Sequence, residues 1–359
     1  MENTYAVVLA GGSGTRFWPL SREKSPKQVL NIINANSLVE NTINRILNLI
    51  PKENVRVVTN AKQQKLMKPL LPMLSDRSYV LEPFPRNTAP CIGLAAMDLY
   101  KQDPNSIMVV LPSDHLIRDE EEFLRVITRG VELVRENDVL ALIGIKPTRP
   151  ATGYGYIQFD ANNSEFSKEI KRVKTFAEKP NLVTAERFLK SGEFRWNAGI
   201  FIWKASTILK EMETYLNDIY HQLEHIFQSK EQKNFNRILS ARYSTMKPIS
   251  IDCGIMEVTR SPIYMLEGDF GWSDIGSWDE LFRISDKDKD GNVVVGEGVT
   301  LNASNNYIHS PKKLTAVIGM DNVLVVNTKN ALLICPIDKT EDVKSIVEKL
   351  RREEKKKYL

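Results

Sequence analysis

A buried strand that runs straight into a glycine-rich loop constrains this chain more than any other feature of its sequence. The apolar run Tyr5–Leu9 is typical of a strand covered on both faces. The next segment, Gly11–Gly14, has three glycines in four positions, and glycines let a backbone turn its N–H groups toward an anion at close range. Arg16 and Lys27 add positive charge behind the loop. A strand, a bare loop and two cations together predict a phosphate-binding site.

Two better-known glycine loops do not fit this segment. A Walker loop requires Lys-Ser or Lys-Thr straight after its last glycine, whereas Gly14 is followed by Thr15 and Arg16. The dinucleotide-binding fingerprint requires a third glycine three residues after the second, and Phe17 occupies that position. The segment is therefore a phosphate loop of another kind, or a strand-to-helix turn that binds no ligand.

Apolar strand-like runs alternate with amphipathic stretches over most of the chain. This alternation predicts an α/β fold with a Rossmann-like, mostly parallel sheet covered by helices on both faces. Ligands bind beyond the carboxyl ends of the strands in such sheets, which is where the glycine loop falls. The predicted strands are Tyr5–Leu9, Val55–Thr59, Tyr79–Leu81, Ile107–Leu111 and Val139–Ile145, and the predicted helices include Ser37–Leu49 and Thr88–Tyr100.

The pattern changes near Ser285, so we divide the chain into residues 1–284 and residues 285–359. Short strands with turn signals between them predict a small C-terminal β unit, such as a short β-helix. A terminal helix is expected to start with Thr340 as its N-cap. Its apolar residues share one face, so we expect it to dock on the β unit or on a second subunit.

Composition limits the class of partner. The chain has 359 residues, of which 42% are hydrophobic and 26% charged, with a net charge of +4. No basic stripe with interleaved aromatic residues is present, which argues against nucleic acid, and no stretch approaches the ~20 apolar residues that cross a membrane. The three scattered cysteines form neither a disulfide framework nor a zinc spacing, and the first residues lack the features of a signal peptide. We therefore expect a cytoplasmic protein.

Two aspartates are candidates for a metal site. Asp114 follows the apolar strand Ile107–Leu111, and a carboxylate at a strand's carboxyl end can hold Mg²⁺ against a substrate phosphate. The alternative is a turn or cap residue. A second carboxylate has to come from a distant segment, and we assign Asp274 to this role in preference to Asp269.

The stiff loop that begins at Glu82 suggests a choice of nucleotide base. A carboxylate can accept hydrogen bonds from both N1–H and the N2 amino group of guanine, a donor pair that the other bases lack. Thr88 can cap the helix that follows, which is a structural explanation for that residue. Farther along, Lys179 is placed to neutralise a sugar phosphate, and Glu178 and Asn197 to bind sugar hydroxyls.

The segment Asp286–Glu297 matches the calcium-loop pattern in full. A calcium loop of this type lies between two helices, whereas residues 293–296 are typical of a strand. We therefore predict a polar turn that joins the two domains.

These segments together resemble the sugar-phosphate nucleotidylyltransferase family. The similarity spans residues 9–278 and extends to the C-terminal β segment. EPFPRNTAP, WNAGIFIWK and FGWSDIGSW point to the branch that uses mannose 1-phosphate and GTP. The segments that carry the resemblance are LAGGSGTRFWPLSREKSPKQ, EPFPRNTAPCIG, LPSDHLI, FAEKP, WNAGIFIWK, IDCGIMEV and FGWSDIGSW.

The resemblance implies a nucleotidyltransferase that moves GMP from GTP to α-mannose 1-phosphate and releases pyrophosphate, with Mg²⁺ or Mn²⁺ as cofactor. It also implies a role for each matching residue. Arg16 and Lys27 would be catalytic and would act on the reacting phosphates, and Asp114 and Asp274 would bind the metal. The nucleotide would be bound by Leu9, Ala10, Gly11, Gly12, Ser13, Gly14, Thr15, Glu82, Asn87 and Thr88, and the sugar phosphate by Gly153, Glu178, Lys179 and Asn197.

Two alternatives stay open at this point. One keeps the chemistry and changes the substrate, for example to glucose 1-phosphate or another nucleotide. The other is a non-catalytic subunit that senses nucleotide sugars. A subunit of this kind is expected to lack the catalytic cations or the metal-binding carboxylates, whereas Arg16, Lys27, Asp114 and Asp274 are all present. Some relatives carry a C-terminal isomerase domain of the cupin type, and since the chain ends before one, we expect a single activity, in a homodimer.

Overall fold

The computed structural model describes residues 1–12, 14–161, 166–167 and 169–359. Ser13, which the resemblance assigns to the nucleotide loop, lies outside the described residues. The chain forms two compact units, and the boundary predicted between residues 284 and 285 stays a prediction. The first unit comprises Met1–Gly11, Asn41–Ser113 and Ile117–Trp272, and the second comprises Gly12–Glu40, Asp114–Leu116 and Ser273–Leu359.

The first unit is built on nine strands. These are β1 (Thr4–Leu9), β2 (Val55–Thr59), β3 (Tyr79–Leu81), β4 (Ile107–Pro112), β5 (Leu140–Ile145), β6 (Tyr156–Phe159), β7 (Ile170–Ala177), β8 (Phe194–Lys204) and β9 (Ile263–Gly268). They form one sheet in the order β3-β2-β1-β4-β8-β5-β9-β7-β6.

The predicted α/β sheet is confirmed, and its strand directions differ between its two halves. The strands β3, β2, β1 and β4 are all parallel, and β5 is parallel to β9. In contrast, β8 runs antiparallel to both β4 and β5, and β6 and β7 also pair in the antiparallel sense. A strand's apolar pattern reports its burial and not its direction, so the mixed half could not be read from the sequence.

Helices cover this sheet. Within the first unit α3 packs on β1, β2 and two further helices, while α4 packs on β4, β8 and β9. None of the helices in the described part of the chain is long and apolar enough to cross a membrane. The helices are α1 (Leu38–Leu47, whose first residues belong to the second unit), α2 (Ala61–Met67), α3 (Thr88–Gln102), α4 (Glu120–Glu136), α5 (Leu182–Ser191), α6 (Ala205–Tyr215), α7 (Asn217–Gln228) and α8 (Phe235–Thr245).

Local sequence explains where several of these helices begin. Asp119 caps α4 by accepting a hydrogen bond from the Glu122 N–H, and Asn181 caps α5 in the same way. Such caps satisfy backbone donors that have no partner inside the helix. Glu120 and Glu121 in the first turn of α4 add a favourable interaction with the helix dipole.

The second unit contains a small β sheet and two helices. Successive strands stack in parallel from β10 to β12, and β13 returns antiparallel, so the predicted short β-helix-like unit is confirmed. Asn306 donates to Asn292 Oδ1 over 3.1 Å and to the Met320 carbonyl over 2.7 Å, which satisfies buried polar groups between successive turns. The elements are α9 (Trp278–Ile284), β10 (Val293–Leu301), β11 (Tyr307–Ile318), β12 (Val323–Asn327), β13 (Leu332–Pro336) and α10 (Val343–Arg352).

The segment after the glycine loop belongs to the core of the second unit. Phe17 packs against Trp278 with 5.1 Å between ring centroids. Trp278 Nε1 donates to the Trp18 carbonyl over 3.2 Å, and Trp18 Nε1 donates to the Tyr358 carbonyl over 2.8 Å. These contacts hold the loop's downstream end on the C-terminal part of the chain.

The terminal helix α10 packs in this same core through Val343 and Val347. The predicted N-cap, Thr340, is wrong. Residues 337–342 form a 3₁₀ turn, so the α-helix begins only at Val343. Short 3₁₀ turns are frequent at the ends of α-helices, and the apolar spacing does not reveal them.

The calcium-like segment is a turn that leads into a strand. The Asp288 carboxylate accepts hydrogen bonds from the backbone N–H groups of Asp290 (2.9 Å) and Asn292 (2.8 Å). Strand β10 then begins at Val293, where a calcium loop would require a helix.

Candidate functional site

Lys27 lies at the centre of a polar cluster in the second unit. Its ammonium donates to Asp114 Oδ2 over 2.7 Å and to the Asp274 carbonyl oxygen over 2.8 Å. The Lys27 side chain is only 8% exposed, and its Nζ lies 5.6 Å from the centroid of the Phe17 ring. A buried charge is costly unless it is paired, so these contacts hold the ammonium in one place. The structure therefore brings together Lys27, Asp114 and Asp274, which lie far apart in the sequence.

The Asp114 carboxylate is ionised at neutral pH. Burial raises its pKa, but the positive charges of Lys27 and His115 and the hydrogen bond from Lys27 together outweigh burial, so the pKa lies below its ordinary value. The Asp274 carboxylate accepts a hydrogen bond from the Gly276 N–H over 3.1 Å. The Asp114 carboxylate thus presents its oxygen atoms to a cation without first having to lose a proton.

This pair of aspartates fits a divalent metal. Oxygen ligands from one or two carboxylates, together with substrate phosphates, are what Mg²⁺ binds in proteins. One cation, the Lys27 ammonium, already contacts the Asp114 carboxylate and the backbone carbonyl of Asp274. Within the described ranges no cluster of three or more His, Cys, Asp or Glu side chains is placed to hold a metal. A metal bound here would therefore take its remaining ligands from substrate and water.

The two downstream glycines of the loop differ in what the fold requires of them. Gly14 has a φ of +61°, and a Cβ atom there would lie 2.2 Å from Lys27 Cβ, so the fold itself requires glycine. At Gly12 an added Cβ would meet no described atom within 4 Å, and φ is not in the left-handed region. The Gly12 carbonyl accepts a hydrogen bond from Gln28 Nε2 over 3.0 Å, which fixes its direction. Packing therefore gives no reason for a glycine at position 12, whereas close approach of a ligand does.

Arg16 has different partners from Lys27. It lies in the 3₁₀ turn Thr15–Phe17, and its Nε is 3.4 Å from Glu341 Oε2. Its Nη1 donates to the Gly276 carbonyl over 3.4 Å. The Arg16 side chain is 48% exposed, and a surface ion pair of this kind contributes little to stability. The guanidinium can therefore exchange these contacts for a bound anion.

Glu82 forms a second cluster, in the first unit. It follows the carboxyl end of β3 and is only 6% exposed. Its Oε2 accepts a hydrogen bond from the Tyr243 hydroxyl over 3.0 Å, and a Cβ added to Gly11 would lie 2.5 Å from its Oε1. Leu9 is the last residue of β1, and the Ala10 N–H donates to the Val58 carbonyl over 2.8 Å. The structure therefore brings Glu82 to the start of the glycine loop.

Asn87, rather than Thr88, caps α3. The Asn87 side chain accepts a hydrogen bond from the Thr88 N–H over 2.9 Å, and its backbone has a φ of +67° and a ψ of −169°, a combination that residues other than glycine rarely adopt. The predicted cap at Thr88 is wrong because α3 already begins with this residue. The Thr88 hydroxyl instead accepts a hydrogen bond from the Ile251 N–H over 2.8 Å.

A third cluster, also in the first unit, surrounds Asn197. Its Nδ2 donates to Asp252 Oδ1 over 2.8 Å, and its Oδ1 accepts from the Gly199 N–H over 3.0 Å. Glu178 forms an ion pair with Lys179. Burial, and then the charge of Glu178, raise the pKa of Asp252 to about 6. The structure thus brings together three of the four residues assigned to the sugar phosphate.

The fourth of these residues, Gly153, has open space where a side chain would lie. A Cβ added there would meet no described atom within 4 Å. As at Gly12, the packing of the described residues does not require glycine at this position.

Asp252 and Tyr243 belong to these clusters although the sequence analysis assigned neither of them a role, even though Asp252 lies in the segment IDCGIMEV. Asp252 is a single carboxylate in the mainly apolar segment Ile249–Met256, and an isolated acid in such a run is a signal that could have been used. Tyr243 lies in the mostly polar helix α8, and only the tertiary fold pairs it with Glu82.

The pKa of Glu82 leads to a prediction about stability. Burial raises this pKa from 4.5 to about 6, against the opposing hydrogen bond from Tyr243. The folded state therefore holds this proton more tightly than the unfolded state, and the stability that results is present below pH 4.5 and lost as the pH rises through 6. Glu82→Gln cannot ionise, so its free energy of unfolding relative to wild type should rise by about 2 kcal/mol between pH 4 and 7.5.

Urea denaturation at several pH values measures this difference. Glu186→Gln replaces an exposed carboxylate of the same unit and should show no such trend. A constant difference between Glu82→Gln and wild type across this range would contradict the raised pKa.

Known proteins resemble this chain over nearly its whole length. Residues 5–291 match the family model described as nucleotidyl transferase, and residues 296–350 match the MannoseP isomerase/GMP-like beta-helix domain. The chain is 38% identical over 360 residues to mannose-1-phosphate guanylyltransferase of Salmonella montevideo, which covers 98% of this chain and 75% of that protein. It is 37% identical over 348 residues to the alginate biosynthesis protein AlgA of Pseudomonas fluorescens, which covers 96% of this chain and 71% of that protein.

A solved structure is similar as well. The protein described as mannose-1-phosphate geranyltransferase from Thermus thermophilus superimposes with a TM-score of 0.88 at 29% sequence identity. The match covers 97% of this chain and 99% of that one.

Proposed function

This chain belongs to the nucleotidyl transferase family and, within it, to the mannose-1-phosphate guanylyltransferases, and from this membership we propose that it transfers GMP from GTP to α-D-mannose 1-phosphate. The products are GDP-mannose and pyrophosphate. The observation that carries the proposal is the contact of the buried Lys27 ammonium with both Asp114 and Asp274. Such a cluster supplies fixed charge for phosphoryl transfer, and a subunit that only senses nucleotide sugars has no need of it.

The reaction is an in-line attack of a sugar-phosphate oxygen on the α-phosphorus of GTP, with pyrophosphate as the leaving group. The second pKa of a phosphate monoester is about 6, so the nucleophile is already anionic near neutral pH and needs no general base. The protein therefore contributes positioning and charge neutralisation. Lys27 stabilises negative charge on the reacting phosphates from a fixed position. Arg16 binds the leaving group, because a guanidinium matches the geometry of phosphate oxygens.

The Asp114 and Asp274 carboxylates are the residues that would hold a divalent cation, Mg²⁺ or Mn²⁺. When bound, this cation neutralises negative charge on the phosphates of the nucleotide. Lys27 donates to the Asp114 carboxylate and orients it, and the Gly276 N–H does the same for Asp274.

The remaining residues position the two substrates. The backbone from Gly11 to Thr15 binds nucleotide phosphates, and Glu82 reads the guanine base beside Asn87 and Thr88. In the sugar region, hydrogen bonds to Asp252 and the Gly199 N–H fix the amide of Asn197. The remaining hydrogen-bonding capacity of this amide is directed at a sugar hydroxyl together with Glu178, while Lys179 holds the attacking phosphate. Gly153 leaves room for the sugar.

An assay for pyrophosphate release tests the proposal. The protein is incubated with each pair of nucleoside triphosphate and sugar 1-phosphate in the presence of Mg²⁺ or Mn²⁺. We expect release with GTP and mannose 1-phosphate to exceed release with every other pair. Faster release with glucose 1-phosphate or another nucleotide would support the alternative substrate, and no release with any pair would support a sensing subunit.

The base assignment predicts a change in nucleotide preference. Glutamine offers one acceptor and one donor where a carboxylate offers two acceptors, so Glu82→Gln leaves one guanine donor unpaired. We expect the ratio of kcat/KM for GTP to that for ATP to fall by about tenfold or more. Glu178→Gln is the matched control, since it should alter the KM for mannose 1-phosphate and leave this ratio unchanged. An unaltered ratio in Glu82→Gln would remove Glu82 from the base site.

We further propose a homodimer that buries an apolar face of the C-terminal β unit. Leu301 and Ile318 are register partners on β10 and β11, and Val299 shares their side of the strand. All three are more than half exposed, and exposed apolar patches of this kind mark interaction sites.

The double variant Leu301→Glu, Ile318→Glu should be monomeric in light scattering after gel filtration. The control variant Val258→Glu changes an exposed apolar position of the first unit and should keep the wild-type mass. A double variant with the same mass as Val258→Glu would refute this interface.

The cytoplasm is the location that we propose. All three cysteines are free thiols, which suits a reducing compartment.

A further inference from the structure

A groove of about 850 Å³ lies in the first unit along β3 and beside the start of β2. Strand β3 is the edge strand of the sheet, and its first residue, Tyr79, lines the groove together with Arg56 near the start of β2. The lining continues along β3 through Val80 to Leu81, the residue directly before Glu82, which with Tyr243 forms the second cluster described above (the base cluster). Its volume is within the range of small-molecule sites, about 300–1,000 Å³.

Two buried donors on residues that line this groove make no hydrogen bond within the described part of the chain. The Tyr79 hydroxyl and Arg56 Nε are both inaccessible to solvent and lack a hydrogen bond to any described residue. Tyr79 and Arg56 are each only 8% exposed as whole residues. An unpaired buried polar group is destabilising, and such groups call for a ligand or an ordered water. The wall of the groove therefore contains two donors whose hydrogen bonds are not made.

The charge of the lining favours an anion. Its cations are Arg56, Arg77 and Lys230, against only two carboxylates, Glu53 and Asp98. Lys230 donates to Asp98 over 2.7 Å, and Arg56 Nε lies 3.8 Å from the same carboxylate. Arg77 is exposed and forms no ion pair within the described part of the chain. One positive charge is thus left over.

The opposite wall of the groove is apolar and aromatic. It contains Phe227 from α7 and Phe235 and Leu239 from α8. Lys230 Nζ lies 5.5 Å from the centroid of the Phe227 ring. Aromatic walls of this kind pack well against a planar ring.

We propose that this groove is a second ligand site, which binds a small organic anion that carries an aromatic ring. The anionic group accepts hydrogen bonds from the Tyr79 hydroxyl and Arg56 Nε and is attracted by Arg77. The ring packs between Phe227 and Phe235.

The fold connects this site to the base cluster through three elements. Strand β3 runs from Tyr79 in the groove to Leu81, directly before Glu82. Helix α8 carries Leu239 in the groove and, one turn later, Tyr243, which hydrogen-bonds Glu82. Helix α3 carries Asp98 in the groove and begins at Thr88. A ligand in the groove therefore contacts the elements that position Glu82, and we expect coupling to GTP binding, an expectation that rests on the proposed function.

The binding test uses anilinonaphthalene sulfonate, a fluorescent aromatic anion, with the full chain and no nucleotide. Arg77→Glu reverses the exposed charge, and Asn236→Trp fills the groove from an exposed position on α8. We expect a saturable site whose Kd rises by about tenfold in each variant, comparable to the loss of one charge-assisted contact. Arg237→Glu changes the same charge on α8 outside the groove and should keep the wild-type Kd. Equal Kd values in all four proteins would overturn the site.

The coupling test measures the KM for GTP with and without a saturating amount of the same probe. We expect at least a threefold change in wild type, a modest allosteric coupling, and none in Asn236→Trp. An unchanged KM in wild type would overturn the coupling and leave the site in place. If the protein proves inactive with GTP, the proposed function fails, while the fluorescence titration still decides whether the groove binds the probe.

Discussion

Replacing Asp114 or Asp274 by asparagine is expected to lower kcat by about a thousandfold while the chain keeps its fold. Each substitution removes one of the two carboxylates proposed to hold the divalent cation and leaves the side-chain volume almost unchanged. Asp114→Asn also takes away the charge paired with the buried Lys27 ammonium, which is only 8% exposed. We therefore expect the thermal midpoint to fall more in Asp114→Asn than in Asp274→Asn.

Asp269→Asn is the matched control for both variants. Asp269 lies five residues before Asp274, is exposed, and carries no role in the proposal. Turnover is measured as pyrophosphate release, Mn²⁺ affinity by calorimetry in the presence of GTP, and folding by circular dichroism. Asp269→Asn should match wild type in all three. Wild-type turnover and Mn²⁺ affinity in both Asp114→Asn and Asp274→Asn would overturn the metal assignment.

Gly12→Ala is expected to lower kcat/KM for GTP by about a hundredfold without changing the unfolding midpoint. A Cβ at this position meets no described atom within 4 Å, so the folded chain accepts it without strain. The same methyl group occupies space that the proposal reserves for nucleotide phosphates. Small displacements of a reacting group are costly, and a shift of about 1 Å can reduce a rate by two orders of magnitude.

Gly14→Ala separates this effect from a general loss of structure. At Gly14 the φ of +61° and the 2.2 Å approach to Lys27 Cβ oppose any side chain, so this variant should unfold at a lower temperature. Thermal melts and GTP kinetics of the two variants give the comparison. An active Gly12→Ala enzyme with a normal KM for GTP would show that the loop does not approach the phosphates closely.

Much of the fold could be predicted because its signals are local. Strands β2 and β3 begin and end at the predicted residues, since apolar β-branched runs bounded by polar residues mark a buried strand over a few positions. Strand direction could not be predicted, because the apolar pattern reports burial and not direction. The predicted N-caps at Thr88 and Thr340 were wrong for a similar reason, because the apolar pattern does not show where the first turn of a helix begins. Asn87 precedes Thr88, and Thr340 lies inside a 3₁₀ turn that comes before the α-helix. Either neighbour changes the first turn of the helix without altering the apolar period.

The chain's motifs determined its family and the chemical type of its candidate residues. They did so because a glycine loop, a strand-end carboxylate and a basic side chain each have a chemistry that depends only on neighbours in the sequence. Tertiary structure alone decided which of these residues meet. It placed the Lys27 ammonium against Asp114 and Asp274, and it paired Glu82 with Tyr243. It also formed the groove along β3. These contacts join residues that are 87, 247 and 161 positions apart. They depend on how the strands and helices pack, and no local pattern encodes that packing.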